Sequence, residues 1–247
     1  MADLVERSKV GGLGFRLGGF QFAAAVTDRM IDDVFRLRFQ SYINDYRMAP
    51  VADFPDQKHV DPYDAHSLHA LAQDGEGRAV GTVRMVLNSP AGFQCLDAAG
   101  PEHRAKLSGS KKIVEISRLA LAQPFAGAYG DVWSALLSVP LPPIPAPVEP
   151  YTQRDRRRGA VILLGLFRMV YRLSQRLRVT GWCFMAHPAV AAVYTRHGAP
   201  MHALGPAVPS LGQRAAHLVR FQEMERYLFD FNRIRAVAAD LKKLTHP

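Results

Sequence analysis

Glu115-Ile116-Ser117-Arg118-Leu119 sets an acid, a hydroxyl and a base inside an apolar, strand-like stretch, and charges buried in a strand need partners. Candidates stand upstream: Arg38 in Arg38-Phe39-Gln40-Ser41-Tyr42, the pair in Asp61-Pro62-Tyr63-Asp64, and Arg84 in Gly81-Thr82-Val83-Arg84. Three acids and three arginines brought together would suit a zwitterion, with a carboxylate taken bidentately by an arginine and an ammonium by an acid. Glu115 is a candidate general base. Its alternative role is that of a buried counter-ion to Arg84 or Arg38. Asp61 and Asp64 flank Pro62 and are expected to brace a turn before they bind an ammonium. Ser117 reads as a hydrogen-bonding residue, because no His/Asp pattern marks a nucleophilic triad. Cys95 and Cys183 stand in no ligand spacing, so no metal is expected, and two cysteines fit a reducing, cytoplasmic setting.

These residues need elements to position them. Asp28 can cap a helix through Ile31, Val34, Phe35, Leu37 and Phe39, apolar at helical spacing, which carries Arg38 and Tyr42. Residues 43–60 lack periodicity and read as a loop. Ser67–Ala72 and Ala79–Leu87 alternate around Asp74-Gly75-Glu76-Gly77, the pattern of a hairpin with Arg84 mid-strand. Ile113–Ala122 is a third strand; if it is regular, Glu115 and Ser117 share one face and Arg118 points to the other. Six prolines between Pro140 and Pro150 make an extended loop. A helix is predicted from Ala160 to about Leu177 with Arg168, Arg172 and Arg176 as a basic stripe, then a strand over Val179–Ala186 and a helix from Pro188 through Tyr194 ended at His197-Gly198. The expected organisation is one domain over 1–247, with a core at about 25–230, a proline-rich loop at 139–153 and a C-terminal helix at about 218–244.

With 247 residues and 48% hydrophobic content the chain can bury a substantial core. A net charge of +9 asks for an acidic partner: nucleic acid, an anionic membrane surface or an acidic protein. Aromatics are not interleaved with the arginine clusters as base stacking would require, which argues against nucleic acid. The N-terminus carries early acids and no signal-peptide pattern. The apolar run from Gly159 to Phe167 falls far short of the roughly 20 residues that span a bilayer, although the tail is amphipathic enough to lie on a membrane or on a partner.

Helix, loop, hairpin, strand, helix, strand, helix resembles the GCN5-related N-acetyltransferase order, a mixed α/β sheet splayed between two central strands and flanked by helices. Arg38-x-x-x-Tyr42, Asp61-x-x-Asp64, Gly81-x-x-Arg84 and Glu115-Ile116-Ser117-Arg118 resemble, in order and spacing, the signature of acyl-homoserine-lactone synthases. Those synthases usually carry a tryptophan about ten residues after the helix arginine, where this chain has Met48. Leu164-Gly165-Leu166-Phe167-Arg168 through Gly198-Ala199 and Leu204-Gly205-Pro206 look closer to the N-acyl amino acid synthases and the exosortase-associated acyltransferases.

The resemblance implies transfer of a medium or long acyl chain from the 4'-phosphopantetheine thioester of acyl carrier protein, or from acyl-CoA, to an amino acid's amine, with no tightly bound cofactor. A lactone synthase using S-adenosylmethionine is the runner-up. The resemblance further implies a cleft built from Arg38, Tyr42, Asp61, Asp64, Arg84, Ser117 and Arg118, with Glu115 as base. Tyr194 matches the acetyltransferase tyrosine that protonates the departing thiolate, or is an ordinary packing tyrosine. Leu163, Phe167, Trp182, Phe184 and Met185 would flank an acyl pocket. Arg156–Ala160 occupies the place of the pyrophosphate-binding loop but keeps only Arg156-x-x-Gly159 of it, which favours a carrier-protein donor docked on Arg156, Arg157, Arg158 and Arg172.

Overall fold

The computed structural model describes residues 4–108, 110, 112–126, 152–196, 198–209 and 213–223. The chain divides into two compact units, one drawn from Met1–Leu87, Ser117–Tyr129 and Pro142–Leu177 and the other from Asn88–Ile116, Gly130–Leu141 and Arg178–Pro247.

In the first unit, α1 (Leu4–Val10) precedes the hairpin β1 (Gly14–Leu17) and β2 (Phe20–Ala24), turned by Gly18 and Gly19 at positive φ. Next comes α2 (Asp28–Phe39), whose N-cap is Thr27 and not Asp28: the Thr27 hydroxyl accepts from the Met30 N–H at 3.3 Å. Residues Gln40–Asp45 carry the helix on as a π-turn, so the predicted loop starts later than its sequence suggests. After a 3₁₀ turn at Pro62–His66, β3 (Ser67–Gln73) and β4 (Ala79–Val86) form the predicted hairpin. Strands β1 to β4 pair antiparallel in chain order, with Ser117–Leu121 beside β4.

Strand alternation sends successive side chains of β3 and β4 to opposite faces. Leu71 packs with Ala25 and Val34, and His69 meets Phe35 edge-on at 5.6 Å, which puts α2 over the face that carries His69 and its register partner Arg84. The other face is covered by the helix Gln153–Arg176, here α4. A Cβ on its Gly165 would fall 2.1 Å from the Phe22 ring, and a Cβ on Gly81 would fall 2.6 Å from Ile162. These two glycines let α4 lie close on the sheet. The helix begins earlier than Ala160, because Thr152 and Asp155 form a reciprocal capping box.

In the second unit, α3 (Pro101–Ser108) leads into β5 (Ile113–Leu121), a strand that runs on into the first unit. Ile113–Glu115 pair parallel with Gly181–Cys183 of β6 (Gly181–Ala186), and the register stops at Glu115. Helix α5 (Pro188–Arg196) follows, and Gly198 at φ +85 ends it as predicted. Short strands β7 (His202–Ala203) and β8 (Val208–Pro209) and the long β9 (Gln213–Arg220) follow among the described residues of this unit. Strand β9 pairs antiparallel with β6 and β7. The expected C-terminal helix is corrected at its start, since Leu218, Val219 and Arg220 are strand. Its remainder beyond Glu223, like the proline-rich segment, lies outside the described residues. The whole is a mixed α/β sheet fold with flanking helices, the predicted class.

Candidate active site

Arg38 sits in the last turn of α2 and Arg84 mid-strand in β4; both are fully buried in the first unit. A buried guanidinium without anions would be prohibitively costly, and Asp61 and Asp64 supply them. Arg38 Nη1 donates to Asp64 Oδ1 at 2.7 Å, and Arg84 Nη1 donates to Asp61 Oδ1 at 2.5 Å and to Asp64 Oδ1 at 3.1 Å. The backbone presents both acids: Asp61 N-caps the turn, accepting from the Tyr63 N–H at 3.0 Å, while Asp64 Oδ2 accepts from the Asp61 N–H at 2.8 Å. Burial alone would raise the Asp64 carboxyl, but Arg38, then Arg84, outweigh it and hold its pKa at about 2. Asp61 is lowered too, with Arg84 and Arg118 overcoming burial. Both acids are thus anionic braces of a turn and counter-ions of the cluster at once.

Arg118 joins through Nη2 to Asp61 Oδ2 at 2.8 Å and through Nε at 3.1 Å, while its neighbour Ser117 accepts from Arg84 Nε at 3.1 Å. Neighbours on a regular strand point to opposite faces. Here both reach the same cluster because Arg118 has φ 51°, in the left-handed region, which breaks the alternation. The opposite-face expectation for Glu115 and Arg118 rested on a regular strand and falls with it. Tyr42 secures the same stretch, its hydroxyl donating to the Leu119 carbonyl at 2.6 Å.

Two histidines that sequence reading passed over belong to this cluster. Arg38 Nη2 donates to His59 Nδ1 at 2.9 Å, and His69 Nε2 lies 3.8 Å from Asp64 Oδ1. Burial first, then the positive charge of Arg38, keeps both neutral: the pKa of His59 falls to about 4 and that of His69 to about 3. The signal for His69 was its place in the hairpin register directly across from Arg84.

Glu115, also buried, lies in the second unit's part of β5. Its Oε2 accepts from the Cys95 N–H at 2.7 Å, and it is the register partner of Cys183. The two cysteines are free thiols with sulfurs 3.0 Å apart, and the contact with Cys183, together with burial, pushes the Cys95 thiol well above its usual range.

The remaining candidates fall in both units. Arg156 and Arg157 are exposed on the first turns of α4, whereas Arg158 lies over the rings of Phe20 and Phe125, and Arg172 donates to the Gly14 carbonyl at 3.0 Å. The basic stripe is likewise engaged: Arg168 and Arg172 sit over Phe15 and Arg176 donates to the Lys9 carbonyl. Residues 156–160 are interior to a helix, with the Arg156 N–H bonded to the Thr152 carbonyl, so they form no phosphate loop. Leu163 is core, whereas Phe167 is 39% exposed. In the second unit Trp182 is buried against Phe221, Phe184 stacks on His217, and Met185 and Tyr194 are half-buried.

Residues 33–139 match the family model of the N-acyl amino acid synthase FeeM, a span that contains Arg38, Tyr42, Asp61, Asp64, Arg84, Glu115, Ser117 and Arg118. No curated protein matches the chain in sequence. Among solved structures, FeeM itself, from uncultured soil microbes, is 15% identical with a TM-score of 0.50, covering 84% of this chain and 93% of its own. BjaI, a CoA-dependent acyl-homoserine lactone synthase solved with MTA, is 18% identical with a TM-score of 0.52, covering 87% and 83%. The same enzyme with SAM and isopentyl-CoA gives 18% and 0.52, covering 89% and 87%. At these identities the structures speak to fold, and the family match speaks to chemistry. The protein is an acyltransferase, similar over residues 33–139 to the N-acyl amino acid synthase FeeM family and built on the fold it shares with acyl-homoserine lactone synthases.

Proposed function

We propose that the protein moves a medium or long acyl chain from a pantetheine thioester to the amino group of an amino acid. The observation that carries this reading is the cluster of Arg38, Asp61, Asp64, Arg84 and Arg118, joined within one unit and lying inside the segment that resembles FeeM. The amine attacks the thioester carbonyl, Glu115 takes its proton, and the C–S bond breaks with the thiolate leaving on the carrier, protonated by Tyr194. Backbone N–H groups of β5 beyond Glu115, where its pairing with β6 stops, are suited to hold the oxyanion. Acyl carrier protein is the favoured donor: an acidic partner suits the exposed Arg156 and Arg157, and residues 156–160 offer no amides for a pyrophosphate.

The test is to supply dodecanoyl-carrier protein or dodecanoyl-CoA with a mixture of amino acids and, separately, with S-adenosylmethionine, and to read products by mass spectrometry. N-acyl amino acids that vanish with Glu115→Gln support the proposal. Acyl lactones formed from S-adenosylmethionine instead would replace it with the lactone-synthase reading.

A further inference from the structure

We propose that Arg118 and His59 together receive the carboxylate of the acceptor, so that the enzyme selects amines that carry a carboxylate. The inference deepens the acyl-transfer reading and rests on it.

Of the three clustered arginines, Arg38 and Arg84 have no exposed side-chain surface, while Arg118 is 21% exposed. Arg118 places Nε and Nη2 on a single oxygen, Asp61 Oδ2, which leaves its Nη1 without a hydrogen bond among the described residues. That free edge is half of a fork suited to a carboxylate.

His59 supplies a second donor, and its tautomer follows from its partner. A guanidinium only donates, so His59 Nδ1, 2.9 Å from Arg38 Nη2, must accept. The ring proton therefore sits on Nε2, which has no hydrogen bond to any described residue. The ring is held in place by stacking on Phe54 at 5.7 Å and by the Tyr42 ring at 5.5 Å. Two routes tie it to Arg118. One runs from His59 to Arg38 Nη2, which is 3.9 Å from the same Asp61 Oδ2 that binds Arg118; the other runs through Tyr42, bonded to the carbonyl of Leu119, the next residue. The charges of Arg38 and Arg118 both act on the ring, opposed by those of Asp61 and Asp64.

The test compares kcat/KM for each amino acid with that for its primary amide, using dodecanoyl thioester as donor, in wild type, His59→Asn and Arg118→Gln. Asparagine keeps an acceptor oxygen for Arg38 and removes the Nε2 donor; intrinsic amine basicity cancels when the acid-to-amide ratio is compared between variants. We expect wild type to prefer the acid, and that preference to fall about tenfold in His59→Asn, one charge-assisted hydrogen bond's worth, and further in Arg118→Gln. Thermal unfolding of His59→Asn should stay near that of wild type. A ratio unchanged in either variant overturns the carboxylate site and leaves acyl transfer standing, as does a wild type that acylates amides as readily as acids. Absence of transfer to any amine overturns both.

Discussion

Burial decides what each charged side chain in the cluster can do. Asp64 neutralises parts of two fully buried guanidiniums, so Asp64→Asn leaves charge without compensation and should destabilise the protein by about 3 kcal/mol or more, read as a lowered urea midpoint. Glu115→Gln keeps an acceptor for the Cys95 N–H and should leave that midpoint nearly unchanged while cutting kcat by about a hundredfold or more. If Glu115→Gln turns over normally, Glu115 is a brace and the base lies elsewhere. The cluster was legible in sequence because its members are charged residues in strand and helix contexts that demand partners. The third acid, Glu115, accepts from the Cys95 N–H within the second unit, a backbone partner that no charge pattern announces. His59 was not legible, because a neutral imidazole in a loop carries no sign of the arginine it will meet, whereas His69 could be found only by carrying the hairpin register through to Arg84. The left-handed backbone at Arg118 was equally hidden, since that conformation is announced by glycine or asparagine and not by arginine.

Elements whose period was sustained were read correctly from sequence: α2, the β3–β4 hairpin, β5, β6 and α5. Those missed are short or masked by composition. The β1–β2 hairpin has only four and five residues per strand and turns on Gly18-Gly19, and β9 reads as a polar-apolar mixture between turns and an amphipathic tail. Helix α4 was started late because its arginine-rich first turns look like a linker until Thr152 and Asp155 are recognised as a capping box. The close approach of α4 to the sheet also predicts a mutational outcome. Gly165→Ala drives a methyl into the Phe22 ring and should cost roughly 1–3 kcal/mol, the usual penalty of overpacking, seen as a drop in Tm. The same substitution at Gly75, where nothing lies within 4 Å, is the control.

For the molecule as a whole, three groups, His69 and Asp64 buried and His59 half-buried, make stability depend on pH in one direction. His59 and His69 titrate at about 4 and 3 in the fold against an ordinary 6.5. The unfolded chain therefore binds more protons, and their contribution, complete above pH 6.5, drains away as the pH falls toward 4 and then 3. Asp64 adds a contribution present above 3.8 and lost toward about 2. Urea midpoints measured from pH 7.5 down to 4.5 should decline, and decline less steeply in His59→Asn; a flat profile would contradict this assignment. The charge of +9 is partly committed within the fold, as Arg158, Arg168 and Arg172 lie on aromatic rings. Reversing the exposed Arg156 and Arg157 should therefore raise KM for a carrier-protein donor and spare that for a CoA donor. The first unit has a last property that follows from its three separate chain segments. On the ribosome its sheet is complete once Leu121 has emerged, but the helix that covers Phe22 and Gly81 ends at Arg176. At roughly 5–20 residues per second this stretch takes about 3–11 s to synthesise, and for that time the nascent sheet offers an uncovered apolar face to chaperones.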